Sequence, residues 1–160
     1  MSRINNQLRW CLKDKKRLIK IKPDINLANK HLEKSKYNFK VVQILEKQNI
    51  LDWALNIGFY SIYHCFLAIL SKHGYESRNQ SCTTTVVLNL IKEKKLDLET
   101  SLVLEFDTIE TEKNIINPTI RMNRELSTYG IETSIDLKQL ERVKEMIIKV
   151  QKETIKILSK

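Results

Sequence analysis

Glycine and proline are scarce in this sequence. Only 3 Gly and 2 Pro occur among 160 residues. Because these two residue types interrupt helices most strongly, their scarcity favours long helices. A composition of 42% hydrophobic and 29% charged residues is typical of a globular protein and excludes a disordered one.

Cysteine is also infrequent. The three cysteines (Cys11, Cys65 and Cys82) are an odd number and lack the spacing of a metal site. Cys65 lies in an apolar helical pattern, where a small core residue is expected. The N-terminus has no apolar stretch of the kind found in signal peptides. We therefore expect a cytoplasmic protein with reduced cysteines, no metal and no cofactor.

One apolar segment, residues 51–70, has almost the length of a membrane span. It contains Asp52, Asn56, Ser61 and His64, which are unfavourable in a lipid environment. The pattern therefore favours a buried central helix over a membrane span, and no membrane association is expected.

The net charge is +9, from 28 Lys and Arg against 19 Asp and Glu. A basic chain attracts phosphate-rich or acidic partners. Many lysines lie beside glutamates at helical spacing, which is also typical of a solvated surface. Both interpretations of the charge remain open, although residues 13–22 form a basic run that is expected to be exposed.

Apolar periodicity predicts one all-α domain over residues 1–160, an up-and-down bundle of about five to six helices. Asp24, Asp136 and Gly74 are the expected helix caps. Residues 83–87 are β-branched and compatible with a strand, but without a hairpin pattern a helix is preferred. Helical patterns cover residues 4–18, 26–47, 51–72, 82–94, 97–116, 118–128 and 137–159, with a polar loop at residues 75–80.

Ser81 is expected to cap the fourth helix, Asn117-Pro118 to restart the chain as a further helix, and Gly130 to close that helix. Asp107, Glu110 and Glu112 are expected on an exposed helix face, outside any paired site. The residues expected to face inward are Leu98, Leu102, Phe106, Ile109 and Ile116 in the fifth pattern and Leu140, Val143, Ile147, Val150 and Ile157 in the last.

The third predicted helix carries two sets of residues. Its bulky stripe is accompanied by a row of small residues, which would let a second helix approach closely. This helix is therefore expected at the centre of the bundle. The small residues are Ala54, Gly58, Ser61, Cys65 and Ala68.

The segment from Trp53 to Leu70 is rich in alanine and tyrosine and is followed by a turn at Gly74. This segment resembles the corresponding helix and turn of the HEPN family. The segment Arg9-Trp10-Cys11-Leu12, followed by Pro23-Asp24 and Leu27-Ala28, is similar to the entry of a prokaryotic branch of that family, as is Ser81-Cys82-Thr83. The resemblance implies a helical bundle that forms homodimers. It also implies a toxin–antitoxin or defence-type module, often with a small nucleotidyltransferase as partner.

Many HEPN proteins are metal-independent RNases whose signature is an Arg followed four to six residues later by a His. A polar residue often accompanies the Arg, and some members carry a Tyr two residues after the His. Here Arg121, Asn123 and Tyr129 match these positions, but Ser127 stands at the histidine position. Metal-free RNA cleavage needs a group that transfers protons near neutral pH, which serine does not do. The sequence therefore leaves catalysis by this site open.

Other residues are candidates for binding. Arg121 and Arg124 could together clamp phosphates, or Arg121 could form a surface ion pair with Glu125. His64 is expected in the core but could replace the missing histidine in three dimensions. Arg78 lies in a loop before a helix start, where free N–H groups could bind an anion. Tyr129 is either a modifiable hydroxyl or a ring packed on the helix end, and packing is preferred.

Two hypotheses follow from these observations. The first is a HEPN-like protein that engages RNA or a nucleotidyltransferase through Arg121, Arg124 and Tyr129, with or without RNase activity. The second is a non-enzymatic binding or scaffolding bundle. The serine at the histidine position, Ser127, favours the second hypothesis, whereas the basic net charge favours neither.

Overall fold

The computed structural model describes residues 2–107, 119–131 and 135–160, and the side chain of Ser127 is not among the parts described. Within these ranges the chain forms seven helices and two short strands, so the predicted all-α bundle is confirmed. The elements are α1 (Arg3–Leu12), β1 (Leu18–Lys20), α2 (Ile25–Lys47), α3 (Leu51–Lys72), β2 (Tyr75–Ser77), α4 (Gln80–Lys92), α5 (Thr100–Phe106), α6 (Ile120–Tyr129) and α7 (Leu137–Ser159).

Helix α3 is the central element, as the row of small residues predicted. All five of those residues are buried. A Cβ on Gly58 would lie 2.6 Å from Cγ1 of Val143, which shows how closely α7 approaches. Ser61 and Cys65 contact Ser35 of α2, and burial raises the pKa of the Cys65 thiol to about 11. Cys65 is therefore an unreactive core residue.

Helices α2 and α7 flank α3 and begin as the sequence predicted. The side chain of Asp24 accepts a hydrogen bond from the N–H of Leu27, and Asp136 accepts one from Lys138. Each carboxylate thereby satisfies a backbone donor that the first helical turn leaves free. The predicted apolar stripe of α7 is buried, namely Leu140, Val143, Ile147, Val150 and Ile157.

The two strands were not predicted. The first helix ends at Leu12 rather than at residue 18, and the expected loop at residues 75–80 contains β2. The strands pair antiparallel, with Leu18 opposite Ser77. Three residues are too few to show an alternating pattern. Leu18 is buried, but it lies within a lysine-rich run that predicts an exposed segment.

Helix α4 confirms the helical prediction for the β-branched run. Thr83, Thr84 and Thr85 each donate a side-chain hydrogen bond to the carbonyl four residues earlier. The helix begins at Gln80 rather than at residue 82, and Asn79 caps it in place of Ser81. A disulfide between Cys11 and Cys82 joins α1 to α4, so the expectation of reduced cysteines does not hold for this pair.

The segment between α5 and α6 is only partly described. Leu98, Leu102 and Phe106 are buried as predicted, whereas Ile109, Ile116 and the predicted restart at Asn117-Pro118 lie outside the described residues. Helix α6 begins at Ile120, and the Thr119 side chain caps it by accepting from the N–H of Met122. Gly130 follows its last residue, as expected.

Helix α3 is long and apolar enough to cross a membrane, but 78% of its most apolar window is buried inside the protein. Helices α2, α4, α6 and α7 surround it. A helix enclosed in this way is the core element that the sequence predicted.

Candidate functional site

Arg121 connects helix α6 to two other elements of the candidate site. Its Nη1 donates to Oδ2 of Asp107 at 3.0 Å and to Oγ of Ser81 at 3.0 Å. Its Nε donates to Oε1 of Glu125 at 3.2 Å, which is the ion pair that the sequence predicted within α6. The guanidinium therefore connects α6 to the start of α4 and to the residue that follows α5.

The charge of Arg121 is strongly stabilised. Burial opposes the charged form, but the carboxylates of Asp107 and Glu125 outweigh it and raise the pKa of Arg121 above its ordinary value. Thr84 donates to Oδ2 of Asp107 at 3.2 Å, so this oxygen accepts from two side chains. A phosphate that approached Arg121 would have to compete with two carboxylates that already neutralise it.

Asp107 is the residue of this site that sequence reasoning missed. It was expected with Glu110 and Glu112 on an exposed helix face and outside any paired site. Its side chain is instead only 4% exposed and ion-paired with Arg121, while Glu110 and Glu112 lie outside the described residues. The 14 positions that separate the pair exceed one or two helical turns, so no local pattern pointed to it.

Arg124 lies under the surface of the bundle and next to Arg121, because both guanidinium groups contact the same carboxylate oxygen of Glu125. It is not exposed as a second phosphate clamp. Its side chain is 8% exposed. The guanidinium carbon stands 4.6 Å from the ring centroid of Phe59 and 5.7 Å from that of Tyr60. Nη2 donates to Gln80 at 3.5 Å and lies 3.5 Å from a carboxylate oxygen of Glu125. These contacts tie α6 to α3 by a cation–π interaction and to α4 by a hydrogen bond.

Asn123 and Tyr129, two further residues of the α6 motif, differ in exposure. Asn123 is 4% exposed, and Ser127 lies in the helix without a described side chain. Tyr129 is 80% exposed, so the expected packing of its ring on the helix end is wrong. Tyr129 is the last residue of α6, and its side chain is open to solvent.

His64 faces α2. Its Nδ1 lies 3.0 Å from Nδ1 of His31, so one ring donates and the other accepts. Burial, then the neighbouring His31 and Lys34, lower the pKa of His64 to about 4. None of the hydrogen bonds or ring contacts among the described residues joins His64 directly to Arg121. The structure thus places this histidine in a different cluster from the motif that lacks one.

Arg78 lies in the turn before α4 and pairs with Glu76, with Nη2 3.3 Å from Oε1. The arginine side chain is 64% exposed. The free N–H groups expected at this helix start are partly used, because the Asn79 side chain accepts from the N–H of Cys82. Arg78 is therefore a surface residue two positions before the helix whose Ser81 contacts Arg121.

One end of the bundle carries a group of exposed apolar side chains, which we call the apolar end. It lies where α3 begins, α6 finishes and α7 begins, and Asn56 of α3 donates a hydrogen bond to Thr128 there. A cleft of about 700 Å³ opens between Trp53, Ile135 and Leu137. The apolar end comprises Ile50 (42% exposed), Trp53 (53%), Leu126 (68%), Tyr129 (80%), Ile131 (97%) and Leu137 (59%).

In the described ranges no three His, Cys, Asp or Glu side chains are grouped as metal ligands. Comparison of the chain with protein-family models, with curated proteins and with solved structures gave no match.

Proposed function

We propose that this chain is a HEPN-like helical domain of a toxin–antitoxin or defence-type module that acts in the cytoplasm by binding. Its contacts would be a second copy of the same chain and a small nucleotidyltransferase. The observation that carries the proposal is the state of Arg121, which is engaged by Asp107, Glu125 and Ser81. An arginine held in this way supports the bundle.

The distribution of histidines favours the same conclusion. Metal-free RNA cleavage needs a proton-transfer group near the arginine that stabilises the phosphorane charge. All three histidines of the sequence lie on α2, on α3 or directly after α3. His64 and His31 contact each other, and Ser127 occupies the corresponding position of α6.

The apolar end supplies the binding surface in this proposal. Monomeric soluble proteins seldom expose several large apolar side chains together, and such groups mark interfaces. Tyrosine and tryptophan are also enriched at the centres of interfaces. A second copy placed on the apolar end would bury Leu126 and Tyr129 against their counterparts.

RNase activity is a second candidate, because the Arg121 side chain keeps 26% exposure and one of its partners, Glu125, is 42% exposed. Labelled RNA incubated with the protein in the presence of EDTA distinguishes the two. Arg121→Ala is the test variant and Arg142→Ala is the control, since Arg142 forms a comparable ion pair with Glu105 at 3.0 Å.

The binding proposal predicts no cleavage by the wild-type protein. Cleavage that Arg121→Ala abolishes and Arg142→Ala retains would establish the RNase and overturn the proposal. Cleavage that survives in Arg121→Ala would exclude the α6 motif as the catalytic site. Circular dichroism of both variants checks that they are folded.

A further inference from the structure

The positive charge of this protein is concentrated near its N-terminus. Residues 1–22 contain eight of the 28 basic residues and one of the 19 acidic residues, which gives a charge of +7. The remaining 138 residues contain 20 basic and 18 acidic residues and carry only +2. A solvated surface with charge spread evenly over the helices would not show this asymmetry.

The structure places these basic side chains on the surface formed by the end of α1, the turn after it and β1. Lys13, Lys15, Lys16, Lys20 and Arg9 are all exposed. We call this region the basic surface, and its members are Arg9, Lys13, Lys15, Lys16, Arg17, Lys20 and Lys22.

The basic surface is held in place by the fold. Cys11, next to Trp10, is bonded to Cys82 of α4. On the other side of the turn, β1 pairs with β2, and the N–H of Arg78 donates to the carbonyl of Arg17 at 2.9 Å. A surface anchored at both ends loses less conformational entropy when it binds a ligand than a free basic tail would.

An aromatic ring lies within the basic surface. Trp10 is 44% exposed, and the guanidinium carbon of Arg17 stands 3.7 Å from its ring centroid. Nη1 of Arg17 also donates to the carbonyl of Trp10 at 2.8 Å. The guanidinium thus lies over the ring at the surface, and arginine and aromatic side chains of this kind stack on nucleobases while lysines around them contact phosphates.

Acidic groups near this surface already have partners. Glu93, which lines a cleft with Arg9, pairs with Lys95, and Asp24 accepts from the N–H of Leu27. Asp14 accepts from the N–H of Lys16 and lies 3.7 Å from Arg17. Glu76 of β2 pairs with Arg78. The local field is therefore strongly positive and suited to a polyanion.

We propose that the basic surface binds single-stranded nucleic acid, with lysines on the phosphates and the Trp10–Arg17 pair on a base. An anionic membrane is the competing partner for a basic surface. It fits less well, because membrane adsorption needs several apolar side chains to insert, and Trp10 is the one large apolar side chain of residues 2–22 that is exposed. The proposal is independent of the apolar end and of RNase activity.

Fluorescence anisotropy with a labelled single-stranded RNA of about 20 nucleotides tests this inference over a range of salt concentrations. The test variant replaces four lysines of the basic surface by glutamine, at Lys13, Lys15, Lys16 and Lys20. The matched control makes the same change in charge on exposed positions of α7, at Lys138, Lys149, Lys152 and Lys156.

We expect the wild-type protein to bind with a strong salt dependence. Four lost phosphate contacts would reduce the slope of log K against log salt by about 3 and weaken binding at least about tenfold near 100 mM salt. The α7 control should change affinity by less than about threefold. Equal losses in both variants, no binding by the wild type at low salt, or binding to anionic vesicles but not to RNA would overturn the proposal.

Trp10 supplies a second readout. In a Trp53→Phe background it is the one remaining tryptophan, because the sequence contains 2 Trp. Stacking of a base on the ring should quench its fluorescence when RNA binds, and Trp10→Leu should weaken binding about fivefold or more. Binding without quenching and without loss in Trp10→Leu would exclude the stacking part of the proposal.

Discussion

Arg121 and Asp107 form an ion pair in which Nη1 lies 3.0 Å from Oδ2 and the carboxylate side chain is only 4% exposed. The pair connects the end of α5 to α6, and Ser81 of α4 joins it through the same guanidinium nitrogen. The arginine that the motif marks as catalytic is therefore part of the framework of the bundle.

Removal of the buried carboxylate should destabilise the protein. Asp107→Asn leaves Arg121 partly buried beside a neutral group, and we expect a loss of about 2 kcal/mol in the free energy of unfolding. Glu105→Gln is the control, because its pair with Arg142 is more exposed and should contribute about 0.5 kcal/mol. Urea denaturation measures both values, and equal small losses would contradict a framework role for Arg121.

The close approach of α3 and α7 at Gly58 makes a second prediction. Gly58→Ala improves helix propensity by about 1 kcal/mol, but its Cβ would clash with the buried Val143. We expect net destabilisation of about 1–2 kcal/mol. The double variant Gly58→Ala/Val143→Ala should be less destabilised than the sum of the two single variants, because the smaller side chain at position 143 makes room for the added Cβ. A stabilised Gly58→Ala would show that the helices are farther apart.

The disulfide gives a third prediction. Cys11 and Cys82 are 71 positions apart, and a cross-link over such a distance restricts the unfolded chain strongly. Reduction, or the Cys11→Ser/Cys82→Ser variant, should lower the free energy of unfolding by about 2–4 kcal/mol. Denaturation with and without dithiothreitol measures this, with the double variant as the control that should not respond. An unchanged wild-type midpoint would mean that the bond does not form in solution, as is usual in the cytoplasm.

The histidine pair predicts how stability depends on pH. Because the pKa of His64 is about 4 in the folded protein and 6.5 in its ordinary state, the unfolded chain binds the proton more tightly. The contribution of neutral His64 to the free energy of unfolding is complete above pH 6.5 and is lost as the pH falls toward 4. After allowance for solvent screening we expect about 1 kcal/mol. The His64→Gln variant should not show this loss of unfolding free energy between pH 7 and pH 5, whereas the His73→Gln variant should show it as the wild type does. The same pH dependence in both variants would contradict the assignment to His64.

The helices could be predicted from sequence wherever a pattern repeats over several turns. The row of small residues from Ala54 to Ala68 identified the central helix, and Asp24 and Asp136 marked two helix starts. Shorter features could not be predicted, because a few residues do not show a recognisable periodicity. Strand β1 has only three residues. At the start of α4 the sequence predicts Ser81 as the cap, but the preceding Asn79 accepts the capping hydrogen bond from the N–H of Cys82.

The candidate site was only partly predictable. The pair between Arg121 and Glu125 follows from helical spacing, but Asp107 reaches Arg121 through the packing of α5 against α6. The burial of Arg124 depends on rings of α3 that are more than 60 positions away in sequence. Contacts of this kind are set by tertiary packing, which a local pattern does not encode.

Light scattering of the purified protein at micromolar concentration tests most directly that this domain acts through its apolar end. The account predicts twice the 18.9 kDa mass of one chain for the wild type, and a monomer for Leu126→Ser/Tyr129→Ser. Ile148→Ser/Ile155→Ser, which removes exposed apolar side chains from α7, should remain dimeric. A wild-type monomer, or dissociation by the α7 variant alone, would contradict the account.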